Sequence, residues 1–421
     1  MSGFNEKPRE LKAFAPALAL LAACVFINYV DRGNLSIAAP LIKDELRSSN
    51  SQLGILLSAF FWSYTALQIV CGWLVDKFEV NWALAAGFLL WSLATAATGV
   101  AHGFAMLLVM RLLLGVGEAV AYPACSKILG AHLPEHQRGF ANGILQAGQR
   151  LGPAVGAVGA GLLIATYGWR PVFIGMGVIS LAWLPAWAKW MPRGTVARGS
   201  LSAAPGFTDI LRHRSFWGVC AGQFSGGYLA YFMLTWLPFY LVRERRLSMQ
   251  SMAKIAGAYY LADALSALAT GWLSDFFIRR GYTPTRVRKS AMAVGQTLAA
   301  ISLVACAIAN SHWYLLSLAA VGVGSGVAGS GLFAFSQTLA GPQATGKWTG
   351  MQNAFGNLPG VVAPALTGFL VDRTGNFIAP LAITAMVLVL GAFSWMFVVG
   401  RLEPVGWKSE QRRTPLASSR I

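Results

Sequence analysis

The sequence predicts an all-α polytopic membrane protein, with twelve transmembrane helices in two pseudo-symmetric six-helix bundles. Three observations predict it. The 421 residues are 56% hydrophobic and only 12% charged, about half the charge of a soluble chain, and the mean hydropathy is +0.55. Apolar runs broken by Gly, Pro or charge recur twelve times, each near the roughly 20 residues that cross a bilayer. Short patterns recur half a chain apart.

The expected spans are 14–40, 53–75, 80–100, 104–128, 139–165, 171–191, 216–240, 252–275, 289–310, 313–339, 347–371 and 377–400. The first follows a polar start, Met1–Lys12. No small-residue cleavage site follows it, so it reads as a retained helix rather than a removed signal peptide. With both termini in the cytoplasm, 22 of the 33 Lys and Arg fall in cytoplasmic segments and eight outside. That bias obeys the positive-inside rule. The net charge of +17 is therefore a topology signal, and the apolar content argues against nucleic acid as a partner.

The repeats divide the chain. Gly72-Trp73-Leu74-Val75-Asp76 returns 199 residues later as Gly271-Trp272-Leu273-Ser274-Asp275. Gly161-Leu162-Leu163 before Tyr167-Gly168 returns 207 residues later as Gly368-Phe369-Leu370 before Thr374-Gly375. The reading is a bundle at 1–191, a cytoplasmic linker rich in Arg, Gly and Ser at 192–215, and a second bundle with a cytoplasmic tail at 216–421. Glycines in spans 5 and 10 suit close helix approach.

Charges inside the spans carry the functional argument. Arg111 and Glu118 lie seven residues apart in span 4, two turns along nearly one face. A charge facing lipid costs at least ~2.5–3.5 kcal/mol at a helix centre, so both should meet a polar cavity or a partner. A structural ion pair is the plainer alternative. Asp31 and Arg32 in span 1 point about 100° apart, so each needs its own partner. We expect Asp31 to face Arg111, and Arg32 to face a cavity. An arginine fork suits a carboxylate. A buried carboxyl suits proton coupling, because desolvation and a nearby Arg pull its protonation in opposite directions. Arg150 in span 5 and Asp263 in span 8 are deep as well. They can pair with each other, or each can meet substrate.

Cys24, Cys71, Cys125, Cys220 and Cys306 all lie in apolar segments without a CxxC pair, and read as small hydrophobes. The five histidines sit near span ends or in loops. No metal cluster, phosphate loop, Ser/His/Asp arrangement or cofactor motif is visible, so neither a metal, a cofactor nor an enzyme is expected.

Two six-span halves with Gly-x-Leu-x-Asp between spans 2 and 3 resemble the major facilitator superfamily. The copy is weak, since Lys77, Phe78 and Glu79 follow Asp76 where members commonly carry Arg and Gly. Asn28-Tyr29-Val30-Asp31-Arg32-Gly33-Asn34-Leu35-Ser36, Arg111…Glu118 with Tyr122-Pro123-Ala124, and Leu234-Thr235-Trp236-Leu237-Pro238 resemble its anion:cation symporter branch. That branch includes bacterial sugar-acid/proton symporters of the galactonate type and the animal sialic-acid and vesicular glutamate carriers.

The resemblance implies roles. Asp31 and Glu118 match proton-carrying positions, Arg111 their partner, and Arg32 a contact to the substrate carboxylate. Tyr29, Tyr64 and Gln149 match sugar-site positions. Ser336, Asn353 and Asn357 occupy similar places in the second half. Packing and interhelical hydrogen bonding are the alternatives for each of these. The pattern supplies no basic residue at Arg150. The implied protein is a monomeric carrier of the bacterial inner membrane, surrounded by lipid, importing an organic anion of the hexonate, hexuronate or aldarate type with H⁺. The rival readings are a symporter for an aromatic acid or dicarboxylate and a drug/proton antiporter. Arg32 and Arg111 count against the antiporter. A membrane sensor or enzyme would need an added domain or paired catalytic groups.

Overall fold

The computed structural model describes residues 11–133, 135–191, 206–309, 313–330, 332–403 and 405. The helices are α1 (Leu11–Leu46), α2 (Asn50–Lys77), α3 (Val80–Thr98), α4 (Phe104–Glu118), α5 (Ala121–His132), α6 (Glu135–Tyr167), α7 (Trp169–Ser180), α8 (Trp183–Trp190), α9 (Phe207–Leu211), α10 (Arg214–Phe239), α11 (Met249–Arg279), α12 (Pro284–Ile308), α13 (Trp313–Gly329), α14 (Leu332–Thr374) and α15 (Ile378–Phe393). π-Helical turns extend α10 over Tyr240–Glu244 and α15 over Ser394–Val398. The described residues of the expected spans are mainly helical, and among the described residues nine stretches are long and apolar enough to cross a membrane. The polar start, the linker stretch 192–205, the tail from 406 and the side chains of Gly72, Trp73, Asp76 and Ser336 lie outside the described residues.

The helix boundaries have local causes. Ser49 Oγ accepts from Gln52 N at 3.0 Å while Gln52 Oε1 accepts from Ser49 N at 2.9 Å, a capping box that starts α2. The Glu79 carboxylate caps α3. Spans 4 and 6 are each interrupted, at Ala119–Val120 and at Leu181–Ala182. In both a proline four residues on, Pro123 or Pro185, lacks the N–H that would bond the carbonyl of Ala119 or Leu181. Span 10 differs from expectation. It is divided after Gly329, within a Gly- and Ser-rich stretch of low helix propensity. The 340–346 segment, expected to separate spans 10 and 11, carries helical backbone within α14.

The repeat is visible in the backbone. Arg47 (φ 49°) and Arg246 (φ 54°) are the non-glycine residues of left-handed φ among those described. They stand 199 residues apart, each just before a serine-capped helix, since Ser248 Oγ accepts from Ser251 N at 3.2 Å as Ser49 does from Gln52. Gly168 (φ 79°) and Gly375 (φ 72°) stand 207 residues apart. Both offsets equal those of the sequence repeats.

The chain forms two compact units. The first joins Met1–Arg198 with Ala230–Ala264 and Gly360–Pro380; the second comprises Gly199–Leu229, Leu265–Pro359 and Leu381–Ile421. The division cuts across the two sequence halves. In the first unit Phe88, Trp183 and Trp187 stack at 4.3 Å and 5.0 Å between centroids. Its later segments are bound by specific contacts. Pro238 leaves the carbonyl of Leu234 without its helical donor, and Ser36 Oγ of α1 donates to that carbonyl at 2.6 Å. Trp236 Nε1 donates to the Pro364 carbonyl at 3.1 Å. Asp372 accepts from the backbone N–H of Asn50 and Ser51 at 3.0 and 2.7 Å, at the start of α2. The second unit packs around Phe216, Phe335, Trp348 and Trp395.

Exposed apolar stripes mark the lipid face. On α11 they are Leu261, Leu265, Leu268 and Trp272; on α12, Val294, Leu298, Ile301 and Ile308. Rows of this kind at helical spacing belong in hydrocarbon rather than water.

Candidate functional site

The site grows from about two turns of α1. Asn28, Asp31, Arg32, Asn34 and Ser36 are all buried there, an unusual density of polar groups in an apolar helix. Buried charge is tolerated when paired, and the partner is on α4. Arg32 Nε meets Glu118 Oε2 at 2.8 Å, with both side chains sealed from solvent at 1% and 0% exposure. Glu118 is the last residue of α4, beside the break that Pro123 produces.

Aromatic rings complete the enclosure. The Arg32 guanidinium carbon lies 4.3 Å from the Tyr64 ring, 4.6 Å from Tyr29 and 5.0 Å from Phe60. Arg111 approaches Phe60 at 5.3 Å. Phe60 and Tyr64, one turn apart on α2, stack at 5.2 Å. Phe60 therefore touches both guanidinium groups, an arrangement in which ring quadrupoles attract cations.

Two expectations are corrected here. Arg32 is buried rather than facing an open cavity, because Glu118 and the rings enclose it. Among the described residues Asp31 and Arg111 form no ion pair; Asn34 Nδ2 donates to Asp31 Oδ1 at 3.2 Å instead. The reason is rotational. With Arg32 turned to Glu118, Asp31 points about 100° away, toward Asn34, which also reaches Met176 of α7 at 3.5 Å. Several buried atoms remain without a hydrogen-bond partner among the described groups: Arg32 Nη2, Glu118 Oε1, Asp31 Oδ2 and Arg111 Nε. Unmade hydrogen bonds on buried charged groups are costly.

The sugar-site candidates of the first half gather around the pair. Tyr29 meets Tyr122 edge-on at 6.5 Å, and Tyr122 OH donates to Gln149 Oε1 at 2.7 Å. Arg150, next along α6, pairs with Asp263 of α11 at 3.0 Å through Nη1, one of the alternatives the sequence leaves open. Arg32, Arg111, Glu118, Asp31, Tyr29, Tyr64, Gln149 and Arg150 thus share the first unit. Asn353 and Asn357 belong to the second. There Gln223 Nε2 donates to Asn353 Oδ1 at 3.3 Å, and the buried Gln352 donates to Gln223 Oε1 at 2.6 Å.

Sequence reasoning missed Phe60, Tyr122 as a contact, and the Gln223–Gln352 pair. Phe60 was findable from its i, i+4 spacing to Tyr64. The glutamines carry no motif. Among the described residues no three His, Cys, Asp or Glu cluster as metal ligands.

Comparison with known proteins identifies the family. The profile of the Major Facilitator Superfamily matches residues 21–364 and 247–420. The chain is 31% identical to the "Probable sulfoacetate transporter SauU" of Cupriavidus necator, over 90% of this chain and 93% of that protein. It is 30% identical to the "Probable galactarate/D-glucarate transporter GarP" of Escherichia coli, over 95% and 97%, and 28% identical to an E. coli "D-galactonate transporter", over 92% and 96%. In fold it is similar to the crystal structure of a bacterial homologue of the human lysosomal transporter Spinster. There the TM-score is 0.80 at 17% identity, covering 97% of this chain and all of that one. The helical fold, the buried charges of spans 1 and 4 and the profile match lead to one conclusion: this multi-pass membrane protein is a transporter rather than an enzyme, and it belongs to the Major Facilitator Superfamily.

Proposed function

We propose that the chain imports a carboxylate-bearing sugar acid across the bacterial inner membrane by symport with protons, through alternating access of its halves 1–191 and 216–421, with both termini cytoplasmic. One observation carries the reading. Arg32 holds Glu118 through Nε alone, and Arg32 Nη2 and Glu118 Oε1 have no other partner among the described groups. A substrate carboxylate competes with Glu118 for the Arg32 fork. Glu118, once displaced from its cation in an apolar surround, binds a proton, since a buried lone carboxylate is strongly disfavoured. Proton and anion then enter together, because each removes the obstacle to the other. Tyr29, Tyr64, Tyr122 and Gln149 provide hydroxyl and amide partners for sugar hydroxyls. The relatives' names, sugar-acid and sulfonate carriers, support the substrate class.

The experiment is uptake of labelled galactonate and galactarate into proteoliposomes under an imposed pH gradient. Accumulation that follows the gradient and collapses with a protonophore is the expected result. Uptake of neither acid, or uptake indifferent to the gradient, would sink the reading.

A further inference from the structure

We infer that Arg150 is a second anion contact, held in reserve by Asp263, and that the substrate is a dianion with an anionic group at each end. The inference rests on the reading of Arg32 as the first contact.

Three features of the pair point this way. The first is orientation. Leu151, Val155 and Leu162 form the exposed stripe of α6, and at 100° per residue Gln149 and Arg150 flank the opposite face. On α11 the exposed stripe is Leu261, Leu265, Leu268 and Trp272, and Asp263 lies opposite it. Both charges therefore face the interior. Gln149, beside Arg150, is bonded to Tyr122, whose ring meets Tyr29, which carries Arg32 on its face.

The second feature is exchangeability. The Arg150 and Asp263 side chains are 27% and 18% exposed, against 1% and 0% for Arg32 and Glu118. The contact runs through one guanidinium nitrogen, Nη1, and not through the two-pronged arrangement that makes Arg–carboxylate pairs strong. A partly solvated, single-pronged pair yields readily to a better anion.

The third is spacing. α6 runs alongside α1 in the same direction, with Gly152 backed onto Tyr29 and Gly156 onto Val30. Arg32, two residues beyond Val30, is thus about level with Val158, eight residues above Arg150, or about 12 Å along the axis at ~1.5 Å per residue. A six-carbon diacid spans about 6 Å over five C–C bonds of ~1.5 Å. Two flexible arginine arms close the difference. A monoacid can satisfy Arg32 but leaves the Arg150–Asp263 pair intact, so the second cation contributes binding only to a dianion.

The test is calorimetric titration of the full chain in lipid nanodiscs with galactarate and with its monoacid counterpart galactonate. Wild type should prefer the diacid. Arg150→Gln should lower the ratio of diacid to monoacid affinity by about tenfold. Asp263→Asn removes the competitor for Arg150 and should raise that ratio. Opposite shifts from the two partners of one ion pair are not produced by a structural role, which would move stability and leave the ratio alone. Arg150→Gln/Asp263→Asn, which removes both charges of the pair together, should show the low ratio of Arg150→Gln. An unchanged ratio in the variants, or a wild-type preference for the monoacid, overturns the inference while leaving the role of Arg32 standing. Loss of both acids in Arg32→Ala supports the underlying reading; binding of neither acid by wild type overturns both.

Discussion

Ser36 of α1 donates a hydrogen bond of 2.6 Å to the carbonyl of Leu234 in α10, the acceptor that Pro238 deprives of its helical donor. A proline that weakens one helix thereby ties it to another. Ser36→Ala should destabilise the protein by about 1–2 kcal/mol, the cost of leaving a buried carbonyl unpaired. Pro238→Ala gives Leu234 a helical N–H again, so the serine should matter less in that background. Melting temperatures of the two single variants and the double variant measure the coupling; strict additivity would show that the two residues act independently.

Glu118→Gln should uncouple transport. Glutamine keeps the size of the acid and can accept from Arg32, but it carries no exchangeable proton. Counterflow exchange should persist while gradient-driven accumulation stops. Wild-type accumulation in this variant would leave Glu118 a structural partner of Arg32 only.

Arg32→Lys should fail to restore what Arg32→Ala loses. Lysine keeps the charge, yet it lacks both the planar fork and the flat surface that meets Tyr29, Phe60 and Tyr64. Anion binding by titration should fall at least tenfold in the lysine variant, about 1.4 kcal/mol or more. Full binding would mean that charge alone suffices.

Anion affinity should improve as pH falls from about 8 to 6, a range in which a substrate carboxyl with pKa near 4 stays ionised. The sign follows from competition. Ionised Glu118 holds Arg32 more strongly than protonated Glu118 does, so protonation favours the anion, and linkage makes the effect mutual. Titrations across pH should slope in wild type and flatten in Glu118→Gln. A slope retained in that variant and abolished in Asp31→Asn would move the coupling to Asp31.

Gly161 and Gly257 let α6 and α11 approach closely; a Cβ at Gly161 would stand 2.6 Å from the Cβ of Ala253. Gly257→Leu should cost about 1–3 kcal/mol or more through overpacking against Val158. Thermal melting of the variant checks it, and an unaltered melting temperature would mean that the helices can separate without penalty.

The sequence states much of this before any coordinates. Hydropathy places the spans, and Asp31, Arg32, Arg111 and Glu118 announce themselves as charges that lipid cannot accept. Which acid meets which arginine is not legible, because it depends on the rotation of α1 and α4 about their axes, and a few tens of degrees exchange the partners. Burial of Arg32 is not legible either, since it depends on how α2 turns Phe60 and Tyr64 toward α1. The breaks at Ala119 and Leu181 are legible in principle from Pro123 and Pro185. The helical backbone through 340–346 is not, because Gly341 and Pro342 argue for a turn there.

The unit that contains Arg32 and Glu118 draws on Ala230–Ala264 and Gly360–Pro380, and this sets an order of assembly. A ribosome delivering the chain from its N-terminus completes every residue named around Arg32 within the first half. The Leu234 carbonyl that Ser36 needs and the Asp263 that Arg150 needs arrive later, and Asp372, which binds the start of α2, later still. Until then the Ser36–Leu234 and Arg150–Asp263 links are unmade, in a bilayer that offers no substitute for them. Contacts of such long sequence separation form slowly, so the waiting half is the stage most exposed to misassembly and proteolysis. A chain truncated before Gly360 would keep Leu234 and Asp263 but lack Asp372, leaving the start of α2 without that acceptor.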